Sequence, residues 1–350
     1  MSLRDVLGIE HPIVLGPFGG LSSIELTAAV SSAGGLGSYG LYGYAPERIR
    51  ETVAALRAAT DRPFAVNLWL PTGDEVAPDD VDLTAAAAAV QPLFDELGVP
   101  IPDVPARFLP PVEDQLAAVL DAAPAVLSVV YGVPSPELVE AAHARGIRIT
   151  GTVTTVAEAR AMDAAGVDAI VASGAEAAGH RVSFLAPAEQ SLIGTFALVP
   201  QVVDAVAVPV IAAGGIADRR GVAAAFALGA AGVQVGTAFL RTRQSAAPEA
   251  HRRAIAAADD TTTRLTRAMS GRLSRGIPNT AVRTIEAAGA IAAFPAQNWL
   301  TGRFRAEAGP RNLGEFLSLW AGQSAPLATR TEAADVFAEL RAGVPSDRVV

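Results

Sequence analysis

Between residues 11 and about 240 the chain alternates short apolar runs with alanine-rich amphipathic stretches, and this alternation restricts the fold more than any other feature. The apolar runs fall at residues 13–15, 35–39, 64–68, 126–130, 147–152, 169–172, 208–212 and 232–235. They lack the in–out polarity of a half-exposed strand, as expected when helices cover both faces of a parallel sheet. Helical patterns lie between them at residues 23–32, 46–59, 136–145, 156–165, 196–206 and 218–228, and several end in a glycine (Gly146, Gly166, Gly229) suited to a left-handed helix terminus. Eight strands with intervening helices in this length predict a (β/α)8 TIM barrel, an α/β fold that typically takes about 250 residues.

Two segments break the repeat. Residues 70–111 form a Pro- and Asp-rich excursion with a helical pattern at 83–97, long enough to be a lid or a binding loop. Residues 245–350 read as a mostly helical, arginine-rich subdomain packed near the barrel mouth, with turn chemistry around 271–279. The expected organisation is therefore a barrel over 1–244, with an insertion at about 70–111, and a C-terminal subdomain over 245–350.

Composition removes whole classes of chemistry. All 27 basic residues are arginine, and there is neither lysine nor cysteine. That excludes Schiff-base and pyridoxal-phosphate catalysis, a P-loop lysine, a thiolate nucleophile, disulfides, iron–sulfur clusters and cysteine-bound zinc. The net charge of −9 and the scattered arginines argue against a nucleic-acid surface. The apolar runs are far shorter than the roughly 20 residues that span a bilayer, and residues 1–5 do not open a signal peptide. We expect a cytoplasmic protein with no membrane partner. The arginines are expected at the surface and in the tail.

Catalytic groups of such barrels follow the C-terminal ends of the strands. The strongest signal is a pair of small-residue turns, Ala213-Gly214-Gly215-Ile216 and Gln234-Val235-Gly236-Thr237, at the ends of the last two strands. Backbone amides there can approach a phosphate closely. Gly16-Pro17-Phe18-Gly19-Gly20 makes a similar turn after the first strand. Asn67 places an amide inside an apolar run and requires a partner, either a ligand edge or a neighbouring carbonyl. His180 is the one histidine in a Gly- and Ala-lined loop on the catalytic face, where an imidazole can transfer protons. His11 precedes the first strand, whereas His143 and His251 are expected to be solvated. No cluster with metal-ligand spacing is present, so no metal site is expected.

These motifs, with His11-Pro12-Ile13-Val14, Glu176-Ala177-Ala178-Gly179-His180-Arg181 and Met269-Ser270-Gly271-Arg272-Leu273-Ser274-Arg275-Gly276-Ile277-Pro278-Asn279, occur in the order found in the nitronate monooxygenases, which the chain resembles over most of its length. The resemblance implies an FMN-dependent barrel enzyme. Gly16, Phe18, Gly19, Asn67, Ser173, Ala178, Gly179, Gly214, Gly215, Gln234, Val235, Gly236 and Thr237 would surround FMN, and Ser270 would face the substrate. His180 matches the catalytic histidine that takes the α-proton of a nitroalkane. Flavin and O2 would convert the nitronate to a carbonyl compound and nitrite. Phe18, Ser173, Ala178 and Val182 depart from common family residues along the flavin and substrate wall. The alternatives are an NAD(P)H-dependent flavin reductase, of the enoyl-acyl-carrier-protein or quinone type, and a non-catalytic flavin-binding module. A homodimer is an expectation that no residue pattern decides.

Overall fold

The computed structural model describes residues 2–346. Its centre is a ring of eight parallel strands: β1 (Ile13–Leu15), β2 (Gly37–Gly40), β3 (Phe64–Trp69), β4 (Val126–Val130), β5 (Arg148–Val153), β6 (Ala169–Ser173), β8 (Val210–Ala213) and β9 (Gly232–Val235). The strand order is β1-β9-β8-β6-β5-β4-β3-β2, and Leu36 bridges back to Val14 to close the ring into a (β/α)8 barrel. Neighbours advance in parallel register, as in Val66 opposite Leu127 and Ile170 opposite Val210. Nearly every strand side chain is buried, which explains the absence of alternation in the sequence. Each fully buried Val, Leu or Ile contributes about 1.5–3 kcal/mol of transfer free energy.

Helices start where the sequence provides caps. Thr155 and Glu158 form a reciprocal capping box at the start of Val156–Ala164, and Asp218 accepts from Arg220 and Gly221 at the start of Arg219–Ala227. Among the described residues, no helix is long and apolar enough to cross a membrane.

The structure departs from the sequence reading in four places. A helix at Val112–Ala122, not foreseen, packs on β3 and on helix Pro46–Ala59 after the excursion. The tail is not only helical: β10 (Arg264–Thr266) and β11 (Ser274–Gly276) form an antiparallel sheet with β7 (Gly179–His180). Where turns alone were expected around 271–279, a strand therefore runs, opposing Ser274 to His180. Strands this short carry no readable period. Finally, the tail does not stay beside the mouth. Helix Ala333–Arg341 returns to pack on Ile24–Ser32 and Arg219–Ala227, with Phe337 against the His11 ring.

The excursion and the middle of the tail share a second hydrophobic core. Val90, Leu93 and Phe94 of helix Thr84–Leu97 pack on helices Thr280–Ala288 and Ala296–Ala308, where the Phe94 and Phe304 rings meet edge to face at 5.7 Å. The barrel thus supplies one wall of the mouth, and two segments distant in sequence together supply the other.

Candidate active site

The barrel wall is made largely of backbone. Gly16, Gly214 and Gly236 line a cavity of about 400 Å3 together with Phe18, Gly19, Asn67, Ser173, Ala178, Gly179, His180 and Gln234. That size falls within the usual range of about 300–1,000 Å3 for small-molecule sites. Gly214 adopts a φ of 100°, and a Cβ there would lie 3.0 Å from Thr195 Oγ1 and 3.1 Å from the Gly174 carbonyl. Only glycine fits that turn. The amides of Gly215, Gly236 and Thr237 are bonded to no acceptor among the described residues. Asn67 is buried, and its Nδ2 donates to the Ser128 carbonyl and hydroxyl, both at 3.2 Å. The neighbouring-strand partner therefore exists, while Oδ1 remains available on the cavity side. Free amides on a glycine floor and an open amide oxygen are the features that a phosphate-bearing, ring-containing cofactor requires, so the residues present fit FMN.

His180 stands on the opposite side, in β7. Its Nε2 lies 2.8 Å from Ser270 Oγ, and its ring is flanked by Trp69 at 4.9 Å and Trp320 at 5.5 Å. Burial, with the charges of Arg272 and Arg305 added, pushes the imidazole down to about 3. At neutral pH it is therefore an uncharged ring with a lone pair available. The loop that carries it is tightly held. The Arg181 guanidinium donates to the Ser191, Ser173 and Thr154 carbonyls, and buried Glu158 accepts from Thr154, Ser183 and Phe184.

Above the histidine, Arg272 ties the tail to the excursion. Its NH2 group meets Glu75 at 2.8 Å and Asp74 at 2.5 Å, while the guanidinium lies 4.3 Å from the Tyr131 ring centre and 4.0 Å from that of Phe294. Tyr42, Trp69 and Phe294 continue this aromatic roof, with Trp69 and Phe294 stacked at 28°.

Not every expected residue reaches the cavity. The Val235 side chain is fully buried in the barrel core, and only its backbone contributes, with its carbonyl accepting from Gly16. Gly215 is exposed at the rim, and the Thr237 hydroxyl accepts from Gly322 N at 3.0 Å. Ser270, expected to face the substrate, is wholly buried behind His180 and acts on the cavity through the imidazole. His251, expected in solvent, is 1% exposed and bonds the Trp320 carbonyl at 2.9 Å. It shares the buried face of its helix with Ile255, one turn on, a placement that hydropathy alone does not reveal. Burial pushes it down to about 4. His143 is exposed, as expected, and pairs with Asp168 at 2.9 Å.

A few arginines depart from the expected surface placement: Arg181, Arg272 and Arg275 are at most 7% exposed, and Arg305 lines the cavity. Sequence reasoning also missed Tyr42, Trp69, Asn298, Arg305 and Trp320 in the cavity wall. Of these, only Trp69, at the end of a recognised strand, carried a local signal.

Residues 1–343 match the nitronate monooxygenase family. The chain belongs to this family. It is a flavin-dependent oxidoreductase. Its sequence is 37% identical over 340 residues to a probable nitronate monooxygenase of Staphylococcus aureus strain Newman, covering 97% of this chain and 95% of the relative. A probable nitronate monooxygenase of Staphylococcus saprophyticus is 36% identical over 322 residues, covering 91% and 90%. Among solved structures, the nitroalkane oxidase of Streptomyces ansochromogenes superposes with a TM-score of 0.88 at 34% identity, covering 98% of this chain and 97% of that one. FabK of Thermotoga maritima gives 0.75 at 29% identity, covering 97% and 94%.

Proposed function

We propose that the chain uses FMN and molecular oxygen to oxidise alkyl nitronates to a carbonyl compound and nitrite. The observation that carries this reading is a neutral imidazole, His180, fixed by Ser270 in a cavity with a glycine floor and no carboxylate in its wall. The nitroalkane oxidase likeness, at 98% coverage, supports the same substrate class. The reaction is taken to be cytoplasmic, with a small molecule and O2 as its reactants.

In this reading the amides of Gly215, Gly236 and Thr237 hold the FMN phosphate, and Gly214 lets the chain approach it. Asn67, Ser173 and Gln234 offer polar atoms to the ring system, while Gly16, Phe18, Gly19, Ala178 and Gly179 provide a close, mostly apolar surface. Bound FMN supplies the redox chemistry that lets the nitronate react with oxygen. With Nε2 engaged by Ser270, the other ring nitrogen of His180, Nδ1, takes the α-proton when the substrate arrives as a neutral nitroalkane, and positions the anion when it arrives as a nitronate. Ser270 keeps Nε2 in place. Trp69 and Trp320 on either side exclude water from the imidazole. Overall, two nitronates and one O2 give two molecules of the carbonyl compound and two nitrite ions, each nitronate gaining one oxygen atom as its C–N bond breaks.

The test begins with flavin released from the purified protein and identified by chromatography. Ethylnitronate in air is then assayed for nitrite and acetaldehyde. FMN and equal yields of both products are expected; FAD, or turnover without nitrite, would overturn the reading.

A further inference from the structure

The cavity does not end at His180. A second hollow of about 840 Å3 adjoins it and shares Phe18, Leu21, Tyr42, Asn298, Arg305 and Trp320 as the neck between them. Beyond the neck the wall is aromatic or aliphatic at Phe108, Leu109, Trp299 and Leu317, and cationic at Arg303 and Arg305. No Asp or Glu lines it. In a chain whose net charge is −9, this is a local reversal of sign.

Arg305 sharpens the point. Its NH2 donates to the Asn298 carbonyl at 3.0 Å and to Asn298 Oδ1 at 2.7 Å, and NH1 donates to Ser318 Oγ at 3.1 Å. All of these acceptors are neutral. Nε is buried without an acceptor, and the titratable groups that act on Arg305 are the Tyr42 phenol and Arg303, with no carboxylate among them. A shielded guanidinium whose acceptors are all neutral leaves its charge unmatched, and NH1, which makes one bond, keeps a second N–H for an anionic oxygen at the neck. The buried arginines elsewhere at this mouth differ. Arg272, for example, is already matched by Asp74 and Glu75.

We propose that the second hollow binds the hydrophobic body of an elongated organic anion, with Arg305 at the neck taking the anionic end. Combined with the nitronate reading, on which this step rests, the anion is the substrate. The enzyme then prefers nitronates bearing aryl or long alkyl groups to short ones. Phe108, Trp299 and Leu317 supply apolar surface for that body.

Binding to the holoenzyme tests the subsite without turnover. Octanoate and octanamide share a chain and differ in charge, and each is titrated by quenching of tryptophan fluorescence, since Trp299 and Trp320 both line the hollow. Octanoate is expected to bind about tenfold more tightly than octanamide, and more tightly than acetate. Ala306 lies on the exposed side of the wall, so Ala306→Asp adds a carboxylate there with little risk to folding. That change should weaken octanoate about fivefold and leave octanamide unchanged. Arg305→Gln should remove the preference, and Arg305→Lys should restore part of it. Equal affinity for the two ligands, or indifference to Ala306→Asp, overturns the proposal. If nitronates reduce the flavin while octanoate shows no advantage, the subsite fails and the reaction stands. If octanoate shows the advantage while nitronates leave the flavin oxidised, the reaction fails and the subsite stands.

Discussion

The two walls of the barrel mouth are built from different materials. The wall formed by β1, β8 and β9 is glycine backbone, held in place by the barrel ladder. The facing wall is side chains: His180, Trp69, Tyr42, Arg272, Arg305 and Trp320, brought together from the tail and from the chain at or just after the ends of β2, β3 and β6. Backbone can hold a phosphate in a chain without lysine, whereas side chains set polarity, protonation and size. We therefore read the first wall as deciding which cofactor binds and the second as deciding what reacts with it.

That division can be broken experimentally, and the largest effect should come from the backbone wall. Gly214→Val adds a branched side chain at φ 100° where even a Cβ meets the Gly174 carbonyl at 3.1 Å. Flavin content, read from the ratio of absorbance near 450 nm to that of protein, should fall by at least about tenfold, a loss of roughly 1.4 kcal/mol or more. Retention of full flavin would show that this floor is not the cofactor site.

The next effect belongs to the junction between excursion and tail. Arg272→Met leaves Glu75, which is partly buried, without its ion partner and removes the stack on Tyr131 and Phe294. Because Asp74 is largely exposed, we expect about 2–3 kcal/mol rather than the full penalty of a wholly buried pair. A lowered Tm, together with faster proteolysis within 70–111, is the signature. Unchanged proteolysis would mean that the excursion is held by its apolar core alone.

A smaller change, confined to the side-chain wall, is Ser270→Ala. It removes the 2.8 Å contact to His180 and should lower kcat about five- to tenfold while flavin content is preserved. Loss of flavin in this variant would blur the division between the walls.

The smallest effect is in pH dependence. With His180 pushed down to about 3, kcat/KM for a nitronate should show no inflection near 6.5 between pH 5 and 8. Stability should change in the same range. His180 and His251 remain neutral in the folded protein down to about 3 and about 4, while the unfolded chain takes up protons below about 6.5. Both contributions are complete above that value and decline as the pH falls toward the folded pKa values. Thermal melts should lose stability from pH 7 to pH 5, and His251→Gln should make that slope shallower.

The contrast between the walls also explains what could be read from the sequence. The barrel strands appear as apolar runs because burial on both faces leaves a local trace, and each glycine turn directly follows the run it terminates. Even His180 has a local signature in its small neighbours. Arg272 and Asp74, by contrast, are 198 positions apart, and nothing near either residue marks the other. The same holds for Asn298 and Tyr42, joined across 256 positions. Arginines such as Arg219, Arg220 and Arg243 lie at the surface as expected, whereas Arg181, Arg272 and Arg275 lie inside because each finds carbonyls, carboxylates or aromatic rings that only the folded chain assembles. The β7–β11 pairing escaped for a related reason: it consists of two residues facing three, too short for any periodicity.

The central claim is that the side-chain wall presents a nitronate to a flavin held by the backbone wall. Anaerobic mixing of the yellow protein with propionate 3-nitronate, and separately with NADH and NADPH, tests it most directly through the flavin absorbance. The account predicts that the nitronate changes the flavin spectrum on the time scale of turnover while the nicotinamides do not. Rapid bleaching by NADH or NADPH, with no response to the nitronate, would contradict it.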